Sequence, residues 1–233
     1  MKRFWRMAQV LEHEDGFAIT LDGKAVRTPG KRNLVVPSRS LADAIAAEWN
    51  AQGDTVQPSE MPLTRYANSA SDSVKIRRAE VIEEVAHFGE TDLICYRATD
   101  PPELIERQSE SWQPLVDWIA FEFDIQLEIV SGVIPVAQSP STIDAFRVAV
   151  AAFDDFALTG LHGATAACGS LVIGLALAHG RLDAQAAWTL SQLDETFQIE
   201  RWGEDADATD RRARLSADIE AASRFMALGG ADS

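Results

Sequence analysis

Four histidines, two cysteines and a surplus of acids are the side chains of this 233-residue chain that could do chemistry. Glu84 and His87 have the E-x-x-H spacing that puts both on one helix face, as di-metal bundles require. Such a site needs a second E-x-x-H and two further glutamates. No second copy occurs, so His87 reads as a helix-surface histidine. His179 stands before Gly180 at a helix end, where a cation suits the helix dipole. His162 lies in a glycine-interrupted stretch and His13 in a charged hairpin region. Cys95 and Cys168 sit in apolar runs without a neighbouring base, which reads as inert core thiols. The acid pairs Asp154-Asp155 and Glu83-Glu84 would serve acid–base work only if the fold brought a partner carboxyl to them. At a helix start, Asp154-Asp155 reads instead as charge facing the dipole. No P-loop, no dinucleotide-binding glycine fingerprint and no nucleophile elbow is present. The residues predict no catalytic group, no metal and no cofactor.

Composition narrows the class further. Hydrophobic residues make up 46% and charged residues 24%, enough apolar material for a buried core. A formal net charge of −15 argues against nucleic acid, whose phosphates need a basic surface, and against anionic membranes. The longest apolar run, Leu171 to Ala178, is too short to cross a bilayer, and the start MKRFWRMAQV lacks the features of a secretory signal. With only two cysteines, a reducing compartment and a cytoplasmic location are expected.

The elements that must carry any site fall in two groups. Phe17, Ile19 and Leu21 alternate with smaller or polar residues, Asp22-Gly23 is a hairpin turn signal, and Asn33 to Val36 reads as a further strand. A helix follows through Gln52, with Ser40 as expected N-cap, Asp43 at its capping-box position, and Leu41, Ile45 and Trp49 on one stripe. Thr55 to Leu63, with Pro58 and Pro62, reads as an extended linker. Helices are expected over 64–88, 102–123, 140–151, 154–178, 183–202 and 206–227, and a short strand over 126–130. Pro114 suggests that Trp112 marks a helix start. The prediction is an α+β protein, with a small β-rich domain with one helix over 1–60 and a larger α-helical domain over 61–233.

What stands out is tryptophan beside charge: Trp49 after Glu48, Trp112, Trp188, and Trp202 after Glu200-Arg201. In the stretch LDETFQIERWGEDADA, Leu193 and Phe197, with Leu190 upstream, share one helix face. Trp188, Ile199 and Trp202 share the other, with Gln192 and Glu195 interleaved. The first face suits a core. The second mixes aromatics with acids, as recognition surfaces do. It contacts either a partner protein or the chain's own last helix. Glu204, Asp205 and Asp207 then add charge beyond Gly203, more than one helix cap requires.

The blocks AAEWNAQ (Ala46 to Gln52), TDLICYR (Thr91 to Arg97) and Gln198 to Gly203, with MPLTRYANSASD and WQPLVDW, occur in this order along nearly the whole chain. In them the chain resembles the ATP synthase assembly chaperones that act on the alpha subunit of the catalytic F-one head, known from mitochondria and alphaproteobacteria. The resemblance implies a non-enzymatic chaperone that binds the unassembled alpha subunit, prevents its aggregation and yields it to beta. It implies a small β domain joined to a helical one. By position it puts partner binding on Glu195, Gln198, Glu200, Trp202 and Glu204, and a structural or binding role on Trp49 and Trp112. Where mitochondrial members carry an aromatic residue and a His-Asp pair after Gly203, this chain has Asp205 to Thr209. The acidic balance and the lack of a transit segment favour a bacterial member, in a cytoplasm equivalent to the mitochondrial matrix. The other readings are a small-ligand module at Pro58 to Tyr66 and a hydrolase built on an acid pair.

Overall fold

The computed structural model describes residues 2–132, 136–203 and 206–230, the side chains of Ala206 and Asp207 apart. A small β region comes first and a larger helical part follows. Two compact units emerge: residues 1–78 with 154–160 and 224–233, and residues 79–153 with 161–223.

In the first unit, β1 (Ala8–His13) and β2 (Gly16–Leu21) form an antiparallel hairpin with His13 opposite Gly16 and Ala8 opposite Leu21. Asp22 and Gly23, both at positive φ (48° and 81°), turn the chain into β3 (Lys24–Ala25). Two positive φ values in succession are what a type I′ turn demands, and Asp-Gly supplies them at low cost. β4 (Val35–Val36) pairs β2 as well, against Phe17 and Ala18. The helix α1 (Arg39–Ala51) packs Leu41, Ala42, Ile45 and Ala46 against Ile19, Leu21, Leu34 and Val36. Its N-cap is Ser38, not Ser40: Ser38 Oγ accepts the Leu41 N–H at 3.1 Å, while Ser40 donates its hydroxyl to the Leu228 carbonyl. Asp43 pairs with Arg39 instead of completing a capping box, since the helix begins one residue before Ser40. At the far end Asn50 gives and takes hydrogen bonds with the Ala8 carbonyl and N–H, at 2.9 and 2.7 Å.

The stretch after α1 is less extended than its prolines suggest. Pro58–Glu60 is a 3-10 turn and α2 (Pro62–Ser69) starts at the second proline, whose missing N–H is harmless in a first helical turn. Glu48 reaches across from α1, accepting from the N–H groups of Leu63 and Thr64 and from the Thr64 hydroxyl at 2.7–2.8 Å. Leu63 and Ala67 thereby join the core of the β region. A π-helical segment over Ala70–Val74 carries α2 directly into α3 (Lys75–His87), so the stretch expected to be helical over 64–88 is helical almost throughout, with a kink at Arg77. Phe225 stacks on Tyr66 and Phe156 at 5.2 and 6.0 Å.

The second unit is built on α4 (Pro102–Phe123), α5 (Pro140–Ala151), most of α6 (Asp155–Cys168), α7 (Leu171–Ala178), α8 (Ala184–Ser191), α9 (Leu193–Trp202) and the first part of α10 (Ala206–Gly229). Pro114 lies inside α4, so Trp112 is mid-helix and fully buried and does not mark a start. Pro114 is on the solvent side, where water can take the carbonyl that loses its helical donor. The expected helix 154–178 is two helices, because Gly169 takes a left-handed conformation (φ 64°) and Ser170 caps α7. Likewise 183–202 divides at Gln192. The strand expected over 126–130 is shorter and shifted: β6 (Val130–Ser131) runs parallel to β5 (Tyr96–Arg97).

Candidate functional site

α9 is held by its inner face. Leu193 and Phe197 are buried, and two guanidiniums lie over the Phe197 ring, Arg201 at 4.4 Å and Arg107 at 5.3 Å from its centroid. Below this face lies a polar network that the sequence did not disclose. Gln108 of α4 donates to Asp194 at 2.7 Å and accepts the Ala98 N–H at 2.7 Å. Arg97 donates to the Gln108 carbonyl at 2.6 Å and lies 5.2 Å over the Trp112 ring, whose Nε1–H donates to the Leu190 carbonyl at 3.0 Å. Burial raises the Asp194 carboxyl above its ordinary range, against the opposing pull of Gln108 and Arg97. Trp112 therefore holds the end of α8 just ahead of α9, and is itself fully buried.

The acids predicted for partner binding are engaged within the same unit. Glu200 accepts both terminal nitrogens of Arg107, at 3.1 and 2.9 Å, and this bonding holds its carboxyl below the usual range. Glu195 pairs with Arg211 at 3.0 Å. Glu204 and Asp205 lie outside the described residues, as does the side chain of Asp207.

The outer face answers to α10. Arg212 lies 5.1 Å over the Trp188 ring and donates to the Thr196 hydroxyl at 3.1 Å, so the chain's own last helix covers that end. Trp202 is left out: it is 75% exposed. It borders a groove of about 260 Å³ with Gln198, Ile199, Arg211 and Arg212. Structure thus brings Glu195, Gln198 and Trp202 to one groove, and turns Glu200 toward α4. Trp49 stands apart in the first unit, half-buried edge-on to Trp5 at 5.1 Å.

The residues considered for catalysis are accounted for by structure. His87 lies 3.1 Å from Glu90, while Glu84 is 3.9 Å from His162. Among the described residues no group of three His, Cys, Asp or Glu is arranged to hold a metal. Asp154 accepts the Ala157 N–H at 2.8 Å, Asp155 pairs with Arg78, and Glu83 with Arg147. Burial pushes both thiols, Cys95 and Cys168, up to about 12. The Pro58 to Tyr66 stretch is occupied by the Glu48 carboxylate. Sequence reasoning overlooked Asp92, fully buried in the TDLICYR block. It accepts from the Ser170 hydroxyl at 2.6 Å and from the Val172 and Ile94 N–H groups at 3.0 and 3.2 Å, anchoring the start of α7.

The chain thus has a β region with one packed helix and a helical part on which Trp202 faces solvent from a braced helix. The model of a family described as ATP12 chaperone protein matches residues 2–120. The mitochondrial protein atp12 of Schizosaccharomyces pombe is 25% identical over 219 residues, 89% of this chain and 75% of that protein. The crystal structure of Atp12 from Paracoccus denitrificans is 43% identical with a TM-score of 0.93, over 98% of either chain. A protein of Agrobacterium tumefaciens is 41% identical with a TM-score of 0.92, over 97% of this chain and 85% of that one. The chain belongs to the ATP12 chaperone family, which serves ATP synthase assembly. Among the described residues no helix is long and apolar enough to cross a membrane.

Proposed function

We propose that this chaperone holds the unassembled alpha subunit of the ATP synthase catalytic head, prevents its aggregation, and releases it to beta without catalysing a reaction. The observation that carries the reading is Trp202, 75% exposed at the end of a helix whose described charges are each braced. An exposed tryptophan on a rigid support is the composition of an interface hot spot. Gln198 and the Glu195–Arg211 pair supply the polar rim of the same groove. Glu200 acts through Arg107, by keeping α9 fixed to α4. Two unpaired buried cysteines and alphaproteobacterial relatives support a bacterial cytoplasmic setting.

Co-expression of an alpha subunit with this chain tests the proposal. The wild type is expected to keep alpha soluble and to co-purify with it, and Trp202→Ala to lose both properties while folding normally. Equal solubilisation of beta, or a Trp202→Ala variant as effective as the wild type, would overturn the assignment.

A further inference from the structure

The first unit carries a second surface whose charge is opposite to that of the chain as a whole. The first 39 residues hold eight Lys or Arg and four Asp or Glu, a net +4. The remaining 194 residues therefore carry −19 of the total −15. Between this basic stretch and Trp49 of α1 lies a groove of about 610 Å³ lined mostly by apolar atoms of Phe4, Ala25, Val26 and Trp49, with Lys24 and Arg27 among its lining residues.

Three features of this groove point outward. Phe4 is 69% exposed, yet its ring stands edge-on to Trp5 at 5.2 Å, and Trp5 to Trp49 at 5.1 Å. Three aromatic rings thus run from the core to solvent, a fixed apolar anchor that loses little freedom on being covered. The cations are uncommitted: among the described residues neither Lys24 nor Arg27 forms an ion pair, and Arg27 donates only to the Lys31 carbonyl, at 2.9 Å. The acid of the adjoining turn, Asp22, is already spent on the Arg6 and Met7 N–H groups at 3.0–3.2 Å. Finally, Ala25 stands opposite Thr20, one step past the Leu21–Lys24 pair that closes the turn. Antiparallel alternation then directs the Ala25 N–H and C=O away from β2, toward any chain laid alongside.

We propose that this groove is a docking site for an extended acidic segment of a partner protein, one apolar side chain entering between Phe4 and Trp49 and flanking carboxylates meeting Lys24 and Arg27. The commitment to an acidic segment rests on charge complementarity: unpaired cations beside an apolar slot favour carboxylates and repel basic sequences. The site is separate from the Trp202 groove and does not depend on the identity of the client proposed there.

The test is a nuclear magnetic resonance titration of the isotope-labelled full chain with a synthetic pentapeptide, phenylalanine flanked by two glutamates on each side. Saturable shifts of the Trp49 indole N–H and the Ala25 amide are expected, weakened about tenfold or more in a Lys24→Glu/Arg27→Glu variant whose other resonances stay in place. Phe4→Ser, a change at an exposed ring, is expected to weaken binding likewise. The same peptide with lysines for glutamates is expected to leave these resonances unmoved. No shift at millimolar peptide, equal binding of the lysine version, or undiminished binding by the double variant would overturn the proposal. So would movement of these resonances on dilution of the chain alone, which would make the occupant a second copy.

Discussion

Glu48 is the residue whose removal the structure prices most clearly. Its two carboxylate oxygens accept the N–H groups of Leu63 and Thr64, both at 2.8 Å, and the Thr64 hydroxyl at 2.7 Å. Leu63 and Thr64 are 1% and 5% exposed, so water cannot replace a lost acceptor without moving backbone. In Glu48→Ala two donors at the start of α2 become orphans, at about 1–1.5 kcal/mol each for a half-exposed acceptor, and the favourable carboxylate–dipole term of about 0.5 kcal/mol is lost. Together these give about 3 kcal/mol, or roughly 6–12 °C in Tm for a chain of this length. Glu48→Gln keeps one acceptor but presents an NH2 group to the other donor, so most of the loss remains. Thermal unfolding by circular dichroism measures the total, and hydrogen exchange at the Leu63 and Thr64 amides shows whether the loss is local. Asp43→Ala, which touches only the exposed Arg39 pair on the same helix, is the control and leaves Tm nearly unmoved. A Glu48→Ala protein within about 1 kcal/mol of wild type, or a Glu48→Gln protein as stable as wild type, would refute the reasoning.

Other substitutions separate support from contact. Trp112→Ala removes a fully buried ring and its bond to the Leu190 carbonyl, and is expected to cost about 3–5 kcal/mol in urea unfolding. Trp202→Ala, by contrast, leaves the unfolding midpoint close to wild type, and the opposite ranking would invert the roles given to the two tryptophans. Gly89→Ala places a methyl 2.5 Å from the Phe146 ring and should destabilise by about 1–3 kcal/mol, visible as a lowered Tm. Burial pushes the Asp92 carboxyl from its ordinary 3.8 up to about 6, so between those values the native state holds a proton that the unfolded state releases. Its protonation favours the fold below about pH 4, and this contribution, on the order of 3 kcal/mol, is lost as pH rises through about 6. Asp92→Asn cannot gain it, so the stability gap between wild type and variant should widen as pH falls from neutral to about 4. A pH-independent gap in paired urea titrations would contradict the assignment.

Local signals in the sequence were good guides wherever the fold decides locally. Asp22-Gly23 marked the turn into β3, and the helical periodicities placed most helices within a few residues. Errors came where a distant group changes the outcome. Ser38 caps α1, while Ser40, the expected cap, turns its hydroxyl to the Leu228 carbonyl, 188 positions away. Gly169 can sit inside an apolar helical pattern or end it. Its left-handed backbone is set by Ser170 and the buried Asp92, the latter 77 positions away. The candidate site divides the same way. The two faces of α9 were legible from spacing alone, with Leu193 and Phe197 inward. The partners that neutralise Glu200 and Glu195 were not, since Arg107 lies on α4 and Arg211 on α10. A run of acids therefore looked like a charged surface, whereas each described carboxylate of α9 has a partner in its own unit and the uncovered group is an indole.

The Asn50 side chain of α1 lies along the free side of β1. Its amide gives and receives at Ala8 as a neighbouring peptide group would, so at that position the outer margin of the sheet is already occupied by a side chain acting as a one-residue strand. Sheet margins with free N–H and C=O groups recruit other extended chains without regard to sequence. A protein that meets unassembled subunits meets such chains constantly. By filling the margin at Ala8 from its own first helix, the chaperone removes there an indiscriminate route of adhesion. Replacing Asn50 would be felt first as stickiness at high client concentration, before any loss of fold.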